Sequence, residues 1–97
     1  MISKEIRDLM NKFNHEYTRF DDIPAEEKLA ENDNLCAMLF LYNHLKDKKK
    51  FQLSPAHDII YFPDVDDLVE LTEEDILYLV RCGVHYNSEY DCFAIFT

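Results

Sequence analysis

The chain has 97 residues, of which 47% are hydrophobic and 13% aromatic, and it carries a net charge of −10. This length and apolar content predict one folded domain, residues 1–97, and exclude a disordered chain. The strongly negative charge repels DNA, RNA and anionic membranes, so we expect no direct binding to nucleic acid or to a membrane.

The negative charge is concentrated in the second half of the chain. Residues 1–50 hold nine Lys and Arg against ten Asp and Glu, a net charge of −1, whereas residues 51–97 hold only Arg81 against ten Asp and Glu, a net charge of −9. We therefore distinguish a helical half, 1–50, from an acidic half, 51–97. Such a charge either keeps the protein soluble or attracts a basic partner.

The sequence features that report on the cellular compartment favour the cytosol. The longest apolar run, LCAMLFLY at 35–42, is much shorter than the roughly 20 residues of a membrane-spanning helix, and the polar N-terminal stretch is unlike a signal peptide. Cys36, Cys82 and Cys92 form no CxxC pair and are odd in number. This pattern argues against the disulfide framework of a secreted protein.

Two helices are predicted in the first half. Apolar residues at three- and four-residue steps predict a helix over about 4–19, and DDIP at 21–24 ends it and begins the next. The second helix is expected to run to about Lys46. Because it is apolar on nearly every side over 35–42, we expect it in the centre of the domain. The lysines of KDKKK at 46–50 are expected to stabilise its C-terminal end.

The second half predicts strands and a third helix. FQLS at 51–54 is interpreted as a short strand, Pro55 marks a turn, and DIIYF at 58–62 has the β-branched and aromatic residues of a strand. Thr72 and Asp75 have the spacing of a capping box, which opens a helix over 72–82 that Gly83 closes. The segment 84–96 predicts a β-hairpin that turns around 87–89.

These elements predict an α+β domain, in which three main helices pack with an antiparallel sheet of about three strands that ends in a C-terminal β-hairpin. The strand–helix–hairpin order is also that of a winged-helix domain, so a degenerate form of that fold is the alternative. In that case the last helix would present carboxylates where phosphates lie, which disfavours DNA binding. The strands 58–62 and 91–96 are apolar on both faces, so helices or another chain must cover them.

No complete metal or catalytic motif is present. Asp64, Asp66, Asp67 and Glu70 begin like a calcium loop, but the loop lacks the glycine of the sixth position and has Asp75 in place of the glutamate expected at the twelfth. A single C-x-x-H step at 82–85 lacks the paired spacing of zinc sites. Without a nucleophile motif or a phosphate-binding loop, we expect no enzyme activity, no metal and no cofactor.

The segments AENDNLCAMLFLYNHL, LSPAHDIIYF and LTEEDILYLVRCGVHYNSEYDCFAIF resemble small, acidic, uncharacterised proteins encoded by bacteriophages. The resemblance covers most of the chain but carries over no functional residue. It implies a class of action, because short acidic phage proteins often bind and block a host nucleic-acid-binding or defence protein, some of them by imitating the charge of DNA. If the chain is phage-encoded, its compartment is the host cytosol.

The leading hypothesis is therefore a protein that binds and inhibits a basic, nucleic-acid-binding protein through one carboxylate-rich face, with aromatic residues as apolar anchors. The alternative is a structural or self-assembling protein, in which the hairpin pairs between chains and a small ligand could lie at the subunit interface. The residues predicted for the first are Asp64, Asp66, Asp67, Glu70, Glu73, Glu74 and Asp75 with Tyr61, Phe62 and Tyr78, and those predicted for the second are Phe93, Ile95 and Phe96.

Overall fold

The computed structural model of the protein describes residues 3–16, 18–56 and 58–96. Three α-helices and a four-stranded antiparallel sheet form the described part, so the predicted α+β class is confirmed, with four strands instead of about three. The strands are arranged in the order β1-β2-β4-β3. The elements are α1 Ser3–His15, α2 Asp33–Asn43, β1 Ser54–Ala56, β2 Ile59–Asp64, α3 Glu73–Arg81, β3 Val84–Asn87 and β4 Cys92–Phe96, with 3-10 turns at Phe20–Asp22, Ala25–Glu27, Lys48–Lys50 and Val65–Asp67.

The fourth strand, β1, occupies an edge of the sheet. Ser54 pairs with Tyr61 and Ala56 pairs with Ile59 of β2. Pro55, predicted to mark a turn, instead lies inside β1. An edge strand tolerates proline because its missing N–H need not contribute to the sheet.

The second helix is shorter than predicted. The segment that follows Pro24 makes only the single 3-10 turn Ala25–Glu27, and α2 begins after Asn32, whose side-chain oxygen accepts a hydrogen bond from the Leu35 N–H at 3.0 Å. The helix ends at Asn43, before the lysines at 46–50, which therefore do not stabilise its end as predicted. The prediction of one helix from 24 to 46 is wrong, since it missed the strong N-cap residue in the middle of that range.

The start and end of α3 agree with the sequence prediction. The Thr72 side chain accepts a hydrogen bond from the Asp75 N–H, and the Asp75 carboxylate accepts one from the Thr72 N–H, which completes the capping box. Gly83 follows the helix with φ +81°, the left-handed conformation that favours glycine after a helix. The last elements thus follow the predicted order of strand, helix and hairpin.

The core lies between the helices and one face of the sheet. Helix α1 packs against α3, and Ile6 and Ile76 from these helices are fully buried together with Phe93 and Ile95 of β4. Because side chains alternate along a strand, Ala94 points to the other face. There it stands opposite Tyr61 and His85 on the neighbouring strands and is buried as well.

Helix α2 lies at the surface, not in the centre of the domain as predicted. Its inner side contributes Cys36, Ala37, Phe40 and Leu41 to the core. Its outer side exposes Leu35, Leu39 and Tyr42 at 47%, 37% and 38%. The helix is therefore apolar on its solvent side, which a helix of a monomeric globular domain rarely is.

Candidate functional site

An open pocket of about 460 Å³ lies between the 3-10 turn at Ala25–Glu27, the C-terminal end of α2 and the first turns of α3. Four of its lining residues are carboxylates from two distant parts of the chain, and no Lys or Arg is among the described residues that line it. We call it the acidic pocket. Its lining residues are Glu26, Glu27, Leu29, Phe40, Asn43, His44, Glu74, Asp75 and Tyr78.

The aromatic part of the pocket is a stack of three rings. The Phe40 ring lies between His44, at a centroid distance of 4.1 Å, and Tyr78, at 4.5 Å. The Tyr78 hydroxyl donates a hydrogen bond to the Glu27 carbonyl oxygen at 2.9 Å, and the His44 Nδ1–H donates one to the Phe40 carbonyl oxygen at 2.7 Å. These bonds fix the rings, so the apolar part of the pocket is preformed.

The carboxylates of the pocket differ in how they are held. Glu26, Glu27 and Glu74 are exposed and form no ion pair with any described residue. Asp75, in contrast, is half-buried and held by two neighbours. Its Oδ2 accepts a hydrogen bond from the Thr72 N–H at 2.9 Å, and its Oδ1 lies 3.8 Å from His44 Nε2. Three charges are thus available to a ligand, and the fourth also maintains the start of α3.

Among the seven predicted carboxylates, Glu74 and Asp75 line the acidic pocket and the others lie elsewhere. Glu73 points toward α1, where one of its carboxylate oxygens lies 3.6 Å from Lys12 Nζ. Asp66 and Glu70 line a different depression, which they share with Lys46. The predicted run is therefore divided among separate depressions.

The remaining two predicted carboxylates lie near the end of β2. Asp64 lines a third depression, together with Tyr61 and Tyr90, whose rings meet edge to face at 5.3 Å. Asp67 is half-buried, and its carbonyl oxygen accepts the Lys46 N–H at 3.0 Å. Neither residue lines the acidic pocket.

The predicted aromatic anchors have three different environments. Tyr78 lines the acidic pocket, and Tyr61 is half-buried on the second face of the sheet. Phe62 is only 4% exposed and belongs to the core. It cannot anchor a partner as predicted, because it points into the core side of β2.

The predicted hairpin interface is similarly divided. Phe93 and Ile95 are fully buried in the core of this chain, so they are not available to pair with another chain. Phe96, on the opposite face, is 63% exposed and stacks on His85 at a centroid distance of 4.5 Å. Only this last residue of the predicted set is a surface residue.

The three cysteines are free and buried. Burial raises the pKa of both Cys82 and Cys92, which keeps these thiols protonated. Burial also opposes ionisation of Cys36, although its hydrogen bond with the Tyr78 hydroxyl and hydrogen bonds from the backbone outweigh burial and lower the pKa overall. Its sulfur lies 2.9 Å from that hydroxyl, beneath the pocket and closed off from solvent.

The half of the pocket that does not come from the acidic run is not predicted by the sequence. Glu26 and Glu27 lie in the range predicted as the start of the second helix, and Phe40 lies in the apolar stretch 35–42 predicted for the centre of the domain, a prediction that does not include its neighbour His44. The four-residue spacing of Phe40 and His44 places them on one side of a helix and was the signal available. Nothing in the sequence brings that side next to α3.

Within residues 3–16, 18–56 and 58–96, no group of three or more His, Cys, Asp or Glu side chains is arranged to hold a metal ion. None of the helices in these ranges has the length and apolar character needed to cross a membrane. Comparison with protein-family models, with curated proteins and with solved structures gives no match.

Proposed function

We propose that this protein binds a basic surface of another protein and that the acidic pocket receives an arginine side chain of that partner. The single observation that carries the proposal is the convergence of four carboxylates on a preformed aromatic stack without a neighbouring Lys or Arg among the lining residues. The resemblance to small phage-encoded proteins suggests the class of target, a nucleic-acid-binding or defence protein that the binding would block.

Arginine fits this site better than lysine for geometric reasons. A guanidinium group is planar, so it can lie against the exposed part of the Tyr78 or His44 ring while its N–H groups reach carboxylate oxygens. Bidentate pairing of guanidinium with Glu26, Glu27 or Glu74 gives short, charge-assisted hydrogen bonds. An ammonium group is a strongly hydrated point charge and gains less from a flat ring.

The carboxylates outside the pocket have a different part in this proposal. Asp64, Asp66 and Glu70 contribute to the negative potential of the acidic half, which accelerates the encounter with a cationic partner without direct contact. Loss of such charges lowers the association rate and its salt dependence, whereas loss of pocket charges raises the dissociation rate. The two groups of carboxylates are therefore separable by kinetics.

The test compares two variants that lose the same charge. The pocket variant Glu26→Gln/Glu27→Gln/Glu74→Gln and the control variant Asp64→Asn/Asp66→Asn/Glu70→Gln each lose three negative charges. The probes are an arginine-rich peptide and a lysine-rich peptide of equal length and charge, and their binding is measured by calorimetry at low and high salt. We expect the arginine peptide to bind more tightly than the lysine peptide and only the pocket variant to remove that difference.

The inhibitory part of the proposal needs a competition experiment. A basic DNA-binding protein is first bound to a fluorescent DNA duplex, and displacement of the duplex by the wild-type chain and by the two variants is followed by anisotropy. We expect wild type and the control variant to displace the duplex and the pocket variant to fail. Equal displacement by both variants would mean that total charge, and not the pocket, is responsible.

A further inference from the structure

The outer side of α2 is apolar. Leu35, Met38, Leu39 and Tyr42 follow one another at the i, i+3, i+4, i+7 spacing, which places them on one side of the helix, opposite the buried residues. Leu35, Leu39 and Tyr42 are exposed, whereas Met38 is half-buried and also packs against the core. The Phe51 ring, which is half-buried as well, borders this surface, since it meets the Tyr42 ring edge to face at 5.5 Å. We call these five residues the α2 outer face.

The two ends of this face carry opposite charges. Exposed Glu31 directly precedes the N-cap of α2, one turn before Leu35. At the other end lie Lys48, Lys49 and Lys50, all exposed, and the ammonium group of Lys48 lies 5.8 Å from the centre of the Tyr42 ring. The observed placement, with an acid at the start of the helix and bases at its end, is the one that the helix dipole favours. The partial charges of the dipole have the opposite sign at each end, so they do not add to the charge difference between the ends.

We propose that the α2 outer face binds a second copy of the same chain, with the two α2 helices packed antiparallel around a two-fold axis. A two-fold interface must be complementary to itself, and an antiparallel pair of these helices meets that condition. Leu39 of each copy lies near the axis, Leu35 faces Tyr42 of the other copy, and the acidic end of each helix meets the three lysines of the other. A parallel arrangement would bring like charges together at both ends.

The location of the face also suits self-association of an acidic protein. Residues 1–50 have a net charge of only −1, so the two copies would meet through their least charged halves, while the acidic halves account for −9 each. The acidic pocket is independent of this contact, because its aromatic ring Phe40 belongs to the inner side of α2. The inference therefore does not depend on the proposed function.

The size of the face sets the expected strength. An eleven-residue helix is about 16 Å long, so its outer side buries less than the roughly 800 Å² per partner of a stable interface. Such an interface belongs to the weak class, and the dimer is expected to form reversibly as concentration rises.

Sedimentation velocity over the micromolar to millimolar range tests the contact. We expect the wild-type chain to shift from monomer to dimer, and Leu39→Glu, which places a charge at the centre of the interface, to weaken association at least about tenfold. Tyr90→Glu is the control, since Tyr90 is 55% exposed and packs edge to face on Tyr61, on the second face of the sheet and away from α2. Phe96→Glu tests whether the hairpin is used instead, and urea unfolding confirms that each variant is folded.

Charge reversal tests the antiparallel arrangement. Glu31→Lys and Lys48→Glu should each weaken the dimer, and the double variant should restore it, because each acidic end then meets a basic end again. The proposal is overturned by a wild-type chain that stays monomeric throughout, by a dimer that Leu39→Glu leaves intact, or by a double variant that is no stronger than the single ones. If the wild-type chain stays monomeric, the α2 outer face would have to bind another protein or a lipid surface instead.

Discussion

Removal of the Thr72 hydroxyl should destabilise the domain measurably, although Thr72 is an exposed residue. The hydroxyl oxygen accepts the Asp75 N–H at 3.2 Å, one of the amide groups at the start of α3 that have no partner within the helix. In Thr72→Ala that amide loses its partner, while the reciprocal bond from the Thr72 N–H to the Asp75 carboxylate remains. Thr72→Ser keeps both bonds and is the matched control.

We expect Thr72→Ala to lower the free energy of unfolding by about 1 kcal/mol, the usual cost of replacing a threonine N-cap by alanine. The higher helix propensity of alanine offers no compensation, because residue 72 is extended, with φ −95° and ψ 169°, and lies outside the helix. For a domain of this size the loss corresponds to a decrease in Tm of about 4–8 °C. Because α3 is packed against α1 in the core, the loss should appear in global unfolding.

Urea unfolding followed by circular dichroism measures this difference. The unfolding midpoint of Thr72→Ala should fall with an unchanged m-value, and that of Thr72→Ser should stay near wild type. Identical midpoints for the alanine and serine variants would show that the hydroxyl does not cap α3. Since Glu74 and Asp75 lie in the capped turn, Thr72→Ala should also weaken binding of the arginine-rich peptide, and Thr72→Ser should not.

Three further outcomes follow from single residues. Gly83→Ala should lower the free energy of unfolding by about 1 kcal/mol, because residue 83 has φ +81°, a conformation that strains alanine. The added Cβ would meet only the Asp33 side chain, at an ordinary contact distance of 3.9 Å, so the backbone strain is the whole cost. Gly83→Asn should lower the free energy of unfolding by less in the same urea titration. Burial lowers the pKa of His85, whose Nδ1 has no hydrogen-bond partner among the described residues, so stability should decrease as pH falls below about 6.5, the pKa of unfolded His. His85→Phe should flatten that slope in unfolding curves between pH 5 and 7. Ile76→Ala should cost about 2–5 kcal/mol, whereas Leu39→Ala on the exposed side of α2 should cost far less in the monomer.

The fold was predictable where a local rule decides the backbone. The capping box at Thr72 and the glycine after α3 each act within a few residues and are found where predicted, and the β-branched strand predicted at 58–62 is observed as β2, Ile59–Asp64. The boundaries of α2 were predicted wrongly. The apolar pattern extends on both sides of Asn32, so nothing in that pattern marks this residue as the N-cap of α2. The short strand predicted at 51–54 is observed instead as β1, Ser54–Ala56, because Pro55 signals a turn unless its position at a sheet edge is known.

The site was less predictable, because sequence order does not determine which charges share a surface. Seven carboxylates within residues 62–75 are close along the chain, yet the 3-10 turn Val65–Asp67 and the first turn of α3 direct them into separate depressions. The acidic pocket instead combines the end of that run with Glu26 and Glu27, about fifty residues earlier, through the hydrogen bond from the Tyr78 hydroxyl to the Glu27 carbonyl oxygen. A contact of this kind has no periodic signature, so only tertiary structure reveals it. The same limit applies to α2. Apolar residues on nearly every side of this helix predict a position in the centre of the domain, but they fit equally well a surface helix whose outer side binds a partner.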